Sequence, residues 1–461
     1  MVGATHPPGI SWRGWVAGST LLVLSACALL TEHYLLVERQ MAAEEFLQAA
    51  SIIEQNRSGY GARNAVLYDL DRGMTLHLAG QYTESNRHLE EAEQRIEGLY
   101  TRSITTETGA MLTNDNALPY EGEDFEKVMI HILAALNYLF MRQLDEALVE
   151  ARKVDHQLNL LNDRYEKKNV YREDAFARYL SGILFEAKGE LNDAFIAYRK
   201  AYDTYRDYGR LYATPLPPTL PADLLRLTSA LGLREEHRAY RREFPSIPWL
   251  PWSETLEQGE IVLLSFVGRA PIKGDFFLTA PVPDGAGGIY LLRVALPRFI
   301  ERPTDVADAS IELEPGGLRA RSYLVEDVTA IAKKNLEDRL GRITAKAIAR
   351  AAARYAASWA IRNQAAKKKD PQSKLWADLG TSLYSVAVEQ ADKRSWRTLP
   401  GMIRMARLTV PPGRYTVKAK YLDRGGSVVG RKDFVDISLK GGEKRFLSHY
   451  MTGRMLSVRS N

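Results

Sequence analysis

One spacing of small and apolar residues occurs three times between residues 38 and 244, and it constrains the fold more than any other feature of the chain. Small residues let paired helices cross closely, and the apolar residues fill the space between the helices. The pattern therefore predicts three helix hairpins that stack on one another. The matching positions are Gly73, Leu76, Gly80, Tyr82, Ser85, Leu89 and Ala92, then Ala135, Tyr138, Arg142, Leu144, Ala147, Ala151 and Val154, then Gly182, Phe185, Gly189, Leu191, Ala194, Tyr198 and Ala201.

These positions resemble the tetratricopeptide repeat, a helix-turn-helix unit of 34 residues. The second copy departs from the repeat, because Arg142 stands where the turn residue is usually small. The copies are not in tandem, so we expect loops between them, such as residues 101–122. Flanking helices are predicted at 38–55 and at 221–242, the second with a break at Gly232. A generic helical bundle is the alternative interpretation.

The resemblance implies an α-helical solenoid over residues 27–244, with a concave groove that binds extended segments of partner proteins. The first helix of each pair lines such a groove. The repeat register predicts that four polar side chains of these helices face it, although packing or solvation is the alternative for each. These are His77, Asn137, Tyr179 and Glu186.

The second half of the chain changes to a strand pattern. Three prolines in residues 245–251 exclude a helix there, so residues 245–258 are predicted to be a linker. Short β-branched and alternating runs, separated by Gly and Pro, then predict strands on both sides of two helices. The strands are expected at 259–268, 275–280, 289–296, 310–313, 319–324, 402–410, 414–422, 428–438 and 444–450, and the helices at 325–363 and 373–391.

The simplest fold consistent with this order is an α+β multidomain protein. The helical solenoid is followed by one β-sandwich, built from residues 259–324 plus 395–461. A helical hairpin at residues 325–394 interrupts this sandwich in sequence.

The N-terminus has the pattern of a secretory signal. An apolar run over residues 15–24 is followed by Leu24-Ser25-Ala26-Cys27, which resembles a bacterial lipobox. The resemblance implies that residues 1–26 are removed and that Cys27 carries lipid. Ala28, rather than Asp, then favours the outer membrane facing the periplasm over an inner-membrane anchor, by similarity to Gram-negative lipoproteins. An uncleaved anchor helix or an ordinary signal peptide is the alternative.

Residues 389–400, together with 325–328 and 292–297, resemble an uncharacterised family of bacterial repeat-containing envelope lipoproteins over most of the mature chain. Some members of that family accompany penicillin-binding-protein activator lipoproteins, which implies a role in cell-wall or outer-membrane assembly. Within this stretch, Asp392, Arg394 and Trp396 lie where a helix is followed by a strand. We expect a structural corner there, with an ion pair beneath the indole.

The long predicted helix carries a row of cations that share one face. The row is a solvated surface in one interpretation, and a binding surface for an acidic partner, glycan carboxylates or anionic lipid in the other. Its members are Arg339, Arg342, Lys346, Arg350 and Arg354.

Composition and motifs argue against several functions. A net charge of +5 is small for 461 residues, which argues against a nucleic-acid partner. The eight histidines form no metal-binding motif, and neither a nucleophile elbow nor a phosphate-binding loop is present. We therefore expect no catalytic residues, no metal and no cofactor. Cys27 is the only cysteine, so no internal disulfide can form.

The sequence thus predicts a lipid-anchored envelope scaffold or adaptor that is not an enzyme. Its partners would be other envelope proteins, held in the groove, and its membrane contact would be the lipid on Cys27. A receptor for peptidoglycan or anionic lipid, acting through the basic helix, is the alternative. An unrecognised hydrolase is a third.

Overall fold

The computed structural model describes residues 33–110, 116, 118–164, 171–283, 289–367 and 391–454. Cys27, the predicted signal peptide and residues 373–390 of the second predicted insertion helix lie outside this set. The helices within it are α1 (33–42), α2 (Phe46–Gln55), α3 (Arg57–Tyr60), α4 (Ala65–Leu78), α5 (Tyr82–Ala110), α6 (Asp124–Phe140), α7 (Leu144–Arg164), α8 (Ala175–Lys188), α9 (Leu191–Leu211), α10 (Leu220–Ala230), α11 (Arg234–Glu243), α12 (Trp252–Thr255) and α13 (Val328–Lys367).

Three helix hairpins, α4–α5, α6–α7 and α8–α9, form the tetratricopeptide-like region at the positions that the repeat pattern predicts. The turns at Gly80, Arg142 and Gly189 all have a positive φ, of 74°, 62° and 84°. The helices meet so closely that a Cβ on Gly182 would lie 2.3 Å from Cδ1 of Tyr198. Small residues are therefore required where these helices cross.

The helices that flank the repeats agree with the sequence only in part. α10 and α11 are separated at Gly232, whose φ of 68° ends α10 as expected. The single helix predicted at 38–55 is wrong, because Glu44 takes a φ of 60° and divides it into α1 and α2. The loop predicted from residue 101 is also wrong in part, since α5 continues to Ala110. Threonine lowers helix propensity only slightly, so this threonine-rich segment remains helical.

The strands form two four-stranded sheets and one two-stranded ribbon. The first sheet has the order β10-β1-β7-β6, with β1 parallel to β10 and antiparallel to β7. The second sheet has the order β5-β4-β8-β9, and β2 and β3 pair as the ribbon. The strands are β1 (Gly259–Val267), β2 (Ile272–Pro283), β3 (Ile289–Ile300), β4 (Asp308–Glu314), β5 (Arg319–Arg321), β6 (Tyr323–Glu326), β7 (Met402–Val410), β8 (Gly413–Leu422), β9 (Val428–Leu439) and β10 (Lys444–Met451).

The central strand β1 is buried along its whole length because it is covered on both faces. Val262 and Phe266 join the apolar core that contains the repeat helices. Ile261 and Leu263 join a second core, shared with β4, β7 and β8. The first sheet is therefore the middle of three layers, with helices on one side and the second sheet on the other.

Two details of the predicted strand region are corrected. The strand predicted at 319–324 is divided between the two sheets, as β5 and β6. The ribbon lies apart from both sheets, and its Val294 and Leu296 pack against Ala347 and Ala351 of α13. Among the residues described, no helix is both long and apolar enough to cross a membrane.

The close crossing of α8 and α9 gives a stability prediction. Gly182→Ala should lower the free energy of unfolding by about 1–3 kcal/mol, because the added methyl group overpacks against Tyr198. Gly98→Ala is the matched control, since it lies within α5 and its Cβ would meet nothing within 4 Å. Removing a glycine from an open helical position should raise stability by about 0.5–1 kcal/mol. Urea denaturation measures the free energy of unfolding of both variants. An equal change in the two variants would contradict the close crossing of α8 and α9.

Candidate functional site

The predicted groove residues lie on the first helices of their hairpins, but the groove is not open. His77 and Glu186 are each 2% exposed, and Asn137 and Tyr179 are fully buried. The prediction that these four side chains face a free surface is wrong. The first sheet and the loop at residues 391–400 pack onto this face, so the groove is filled by the chain itself.

His77 and Asn137 link two hairpins beneath the sheet. Nδ1 of His77 lies 2.7 Å from Oδ1 of Asn137, and the amide of Asn137 donates to Ser85 at 2.9 Å. The imidazole ring of His77 contacts the ring of Phe266 on β1, with centroids 5.7 Å apart. Burial lowers the pKa of His77 to about 4, so the ring is neutral at neutral pH. The pair serves as packing between the repeats and the sheet.

Six charged side chains, five of them buried and Lys444 11% exposed, join α8 and α10 to the first sheet in a closed ring. Acids and cations alternate around it, so that each charge has two neighbours of opposite sign. We name this group the charge ring. Its successive contacts are Glu186–Arg226 at 2.6 Å, Arg226–Asp223 at 2.5 Å, Asp223–Arg407 at 2.6 Å, Arg407–Glu260 at 2.6 Å, Glu260–Lys444 at 2.5 Å and Lys444–Glu186 at 3.4 Å.

The charge ring favours the ionised form of its two glutamates, Glu186 and Glu260. Burial by itself would raise the pKa of Glu186, but Arg226 and Lys444 outweigh it and hold that pKa below its ordinary value. The pKa of Glu260 is lowered in the same way, with burial opposed by Arg407 and Lys444. Arg407 also donates to the Tyr179 hydroxyl at 2.6 Å, which places the tyrosine inside this interface.

The charge ring predicts that Arg407→Met destabilises the whole protein. Removing one partner from a buried charge network typically costs about 3–5 kcal/mol, because Asp223 and Glu260 are left buried without it. Arg414→Met is the matched control, since Arg414 pairs with Asp436 at 3.0 Å but is 76% exposed. That change should stay within about 0.5 kcal/mol in urea denaturation. Similar losses of unfolding free energy in both variants would show that the charge ring stabilises the protein no more than an exposed ion pair does.

Another buried acid of this interface, Glu326, has no cation beside it in the part of the chain that the structure describes. Glu326 is 2% exposed at the junction of β6 and α13, and its Oε2 has no hydrogen-bond partner among the residues described. Burial, followed by the charges of Asp174 and Asp327, raises the pKa of Glu326 well above its ordinary value of 4.5. The side chain is therefore held in its protonated form.

This raised pKa predicts a specific pH dependence. Above pH 4.5 the unfolded chain releases the Glu326 proton while the folded chain retains it, so rising pH favours unfolding. Glu326→Gln removes this effect. Relative to wild type, the variant should gain up to about 1.4 kcal/mol of stability for each pH unit above that value, until the folded pKa is reached. Unfolding measured between pH 5 and 8 tests this, and a constant difference across the range would contradict it.

The predicted basic row lines a cleft in the surface with a volume of about 540 Å³. Arg339, Arg342, Lys346 and Arg350 form one wall on α13, and each takes part in local polar or electrostatic interactions. Arg354 lies further along α13, and its side chain is outside the described set. We name this site the basic cleft. The apolar part of its lining is Leu99, Leu118, Pro119, Ala295, Pro297, Leu336, Ile343, Ala347 and Ala391.

The opposite wall begins at Glu123, which precedes α6. Its carboxylate pairs with Lys273 of the ribbon and with Arg339 of α13, and it also takes part in the capping box of α6 with Glu126. Burial opposes ionisation of Glu123, but Arg339 and Lys273 lower its pKa below the ordinary value. Glu123 thus ties three elements together at one end of the basic cleft.

The predicted corner forms the rest of this wall. Arg394 donates to both carboxylate oxygens of Asp392, at 2.9 and 2.7 Å, and its guanidinium lies 5.3 Å from the centre of the Tyr120 ring. The buried Trp396 donates its backbone N–H to Glu126 at 2.7 Å and its indole N–H to Thr398 at 2.9 Å. The geometry therefore attaches this corner to α6, and both Asp392 and Arg394 line the cleft.

The sequence indicated one wall of the cleft but not the other. Glu123 and Glu126 have the spacing of a capping box before an apolar run, which was a usable signal for the start of α6. No local pattern identified Lys273, because its partner Glu123 lies 150 positions away. The charge ring was missed as well, although Glu260 and Arg407 interrupt apolar strands.

Asp69, His88 and Glu91 also come within reach of one another, with potential ligand atoms within 4.8 Å. Arginines surround them. Arg95 donates to Asp69 at 2.8 Å, and a guanidinium nitrogen of Arg87 lies 2.9 Å from Nε2 of His88. Guanidinium groups this close already compensate the acidic charge. The group is best described as an ion-pair cluster between α4 and α5.

No protein-family model and no curated protein sequence matches this chain. Among solved structures, similarity is found to MamA, at 13% identity and a TM-score of 0.28, over 45% of this chain and 91% of that one. BtubC (BKLC) from P. vanneervenii gives 13% identity and a TM-score of 0.33, over 49% of this chain and 81% of that one. The Rap conjugation gene regulator of plasmid pLS20, in complex with the Phr* peptide, gives 16% identity and a TM-score of 0.28, over 48% and 56%. Because these TM-scores are low, the likenesses support no conclusion about the function of this chain.

Proposed function

We propose that this protein is a lipid-anchored adaptor of the bacterial envelope that holds an acidic segment of a partner protein in the basic cleft. Cys27 would carry the lipid, with the outer membrane as its location, and no catalytic step is involved. The two sheets act as one β-sandwich in this proposal, because both contribute side chains to a single apolar core. The repeats serve as the frame that supports them.

The proposal rests on the excess of positive charge in the lining of the basic cleft. Its described lining has six cationic side chains and three acidic ones. Apolar residues separate the charges, so the cleft offers both salt-bridge partners and hydrophobic contact. Such a lining complements a segment that combines carboxylates with aliphatic side chains. The cations are Lys273, Arg339, Arg342, Lys346, Arg350 and Arg394, and the acids are Glu121, Glu123 and Asp392.

The arrangement of these cations favours a peptide over a single headgroup. The row from Arg339 to Arg350 extends for about 16 Å along the axis of α13, at a rise of 1.5 Å per residue. An extended chain of about five residues covers the same distance. One lipid headgroup would contact only part of the row. The burial of the groove residues also favours the basic cleft as the binding surface, because the chain itself covers the concave face of the repeats.

A binding measurement tests this proposal directly. A fluorescent peptide of alternating Glu and Leu should bind the full-length protein, and its affinity should fall as salt screens the charges. Arg342→Glu combined with Lys346→Glu should weaken binding by at least about tenfold, or about 1.4 kcal/mol. Fluorescence anisotropy provides the measurement.

Two controls make the outcome decisive. The same peptide with Gln in place of Glu should not bind. Arg241→Glu combined with Arg242→Glu changes the same net charge at an exposed site on α11, and it should leave the affinity unchanged. Equal losses of peptide affinity in both double variants would show that the net charge of the protein, and not the basic cleft, determines binding. Retention of the protein on peptidoglycan sacculi, or of the Cys27→Ser variant on anionic vesicles, without peptide binding, would favour the receptor alternative.

A further inference from the structure

The outward face of α1 is unusual for a helix that faces water. Its exposed positions are Leu35, Leu36, Arg39, Ala42 and, at its end, Ala43, which recur with helical spacing on one face. Leu35 is 62% exposed and Leu36 is 47% exposed. These five positions carry one cation and no acid, and the exposed Glu44 and Glu45 follow where the positive φ of Glu44 ends the helical path. A solvent-facing helix surface is normally polar, so two adjacent exposed leucines make this face a candidate for contact with an apolar surface.

The opposite face of α1 is fixed to both halves of the protein. The Tyr34 hydroxyl donates to Asp71 of α4 at 2.6 Å. Glu38 accepts from Arg302 at 2.7 Å and from Arg397 at 2.9 Å. Val37 and Met41 are buried in the main core. Since α1 is attached to the body at several points, its exposed face has a fixed direction relative to the rest of the molecule.

The position of α1 in the chain limits what can cover this face. Only residues 28–32 separate Cys27 from the first described residue of α1. Even fully extended, that connection spans no more than about 20 Å. A lipid on Cys27 would therefore hold α1 next to the bilayer surface.

We infer that the exposed face of α1 rests on the bilayer, with Leu35 and Leu36 in contact with lipid and Arg39 near anionic headgroups. Leucine and arginine on one helix face suit the boundary between headgroups and acyl chains. This inference rests on the proposed lipid anchor but is independent of the basic cleft. It assigns the protein one fixed orientation on the membrane.

A depth measurement on the full-length lipidated protein tests this orientation. Cys27 is the only cysteine. When it carries lipid, Leu36→Cys introduces a single free thiol for a fluorescent label. The protein is placed on vesicles of phosphatidylethanolamine and phosphatidylglycerol that contain spin-labelled lipid as quencher. The label at residue 36 should be quenched several-fold more than one at Ile196→Cys, which replaces a 44% exposed residue on α9, in the third hairpin of the repeats.

The possible outcomes distinguish the lipid anchor on Cys27 from the orientation of α1 on the bilayer. If mass spectrometry shows lipid on Cys27 and the protein binds vesicles, equal quenching at the two positions overturns the orientation and leaves the anchor intact. If Cys27 carries no lipid, both the proposed anchor and this inference are overturned, whereas the peptide test of the basic cleft is unaffected. Strong quenching at residue 36 alone supports the inference.

Discussion

The charge ring between the repeats and the first sheet is the contact on which the rest of the structure depends. Three acids and three cations are largely removed from water, and the cost of desolvating them is offset because every charge has two opposite neighbours. Shifting the sheet by one residue would turn Glu260 and Arg407 away from the helices. Glu186 and Asp223 would then share Arg226 as the one ring cation left on the helices. Apolar packing favours association of the two halves, but it is not directional. The ring therefore fixes how the sheet sits on the repeats.

This arrangement changes the role of the repeat region. A stack of helix hairpins has a concave face that must be covered or solvated, and here β1, β7 and β10 cover it. With both of its faces packed, the first sheet supports the second sheet on one side and receives the helices on the other. Features available to a partner then lie outside the groove. The basic cleft is one of them, formed where the start of α6, the ribbon and α13 meet.

Local patterns predicted the local structure well. The hairpin turns, the break at Gly232 and the bounds of β7 follow from periodicity and from glycine, which the sequence displays directly. The covered groove was not predicted. Its contacts join distant parts of the chain, such as Tyr179 and Arg407, which are 228 positions apart. In addition, polar residues on a helix face give the same sequence pattern whether a sheet or solvent covers them. One signal was available: β1 is almost continuously apolar, as expected of a strand packed on both faces. The row of cations on α13 was predicted from its 3.6-residue spacing, but the cleft beside it was not. Lys273 and Glu123, for example, meet only in the folded chain.

The central claim is that the repeats and the first sheet fold as one unit with no open groove between them. Native-state hydrogen exchange of the partner-free protein tests it most directly, since it reports the opening free energy of each amide. Amides in the middle of α8 and of β1 should exchange with the same free energy, and urea should lower both equally, because neither element can be exposed without breaking the charge ring. If α8 exchanged at a distinctly lower free energy while β1 stayed protected, the two parts would open separately and the groove would be accessible to a partner.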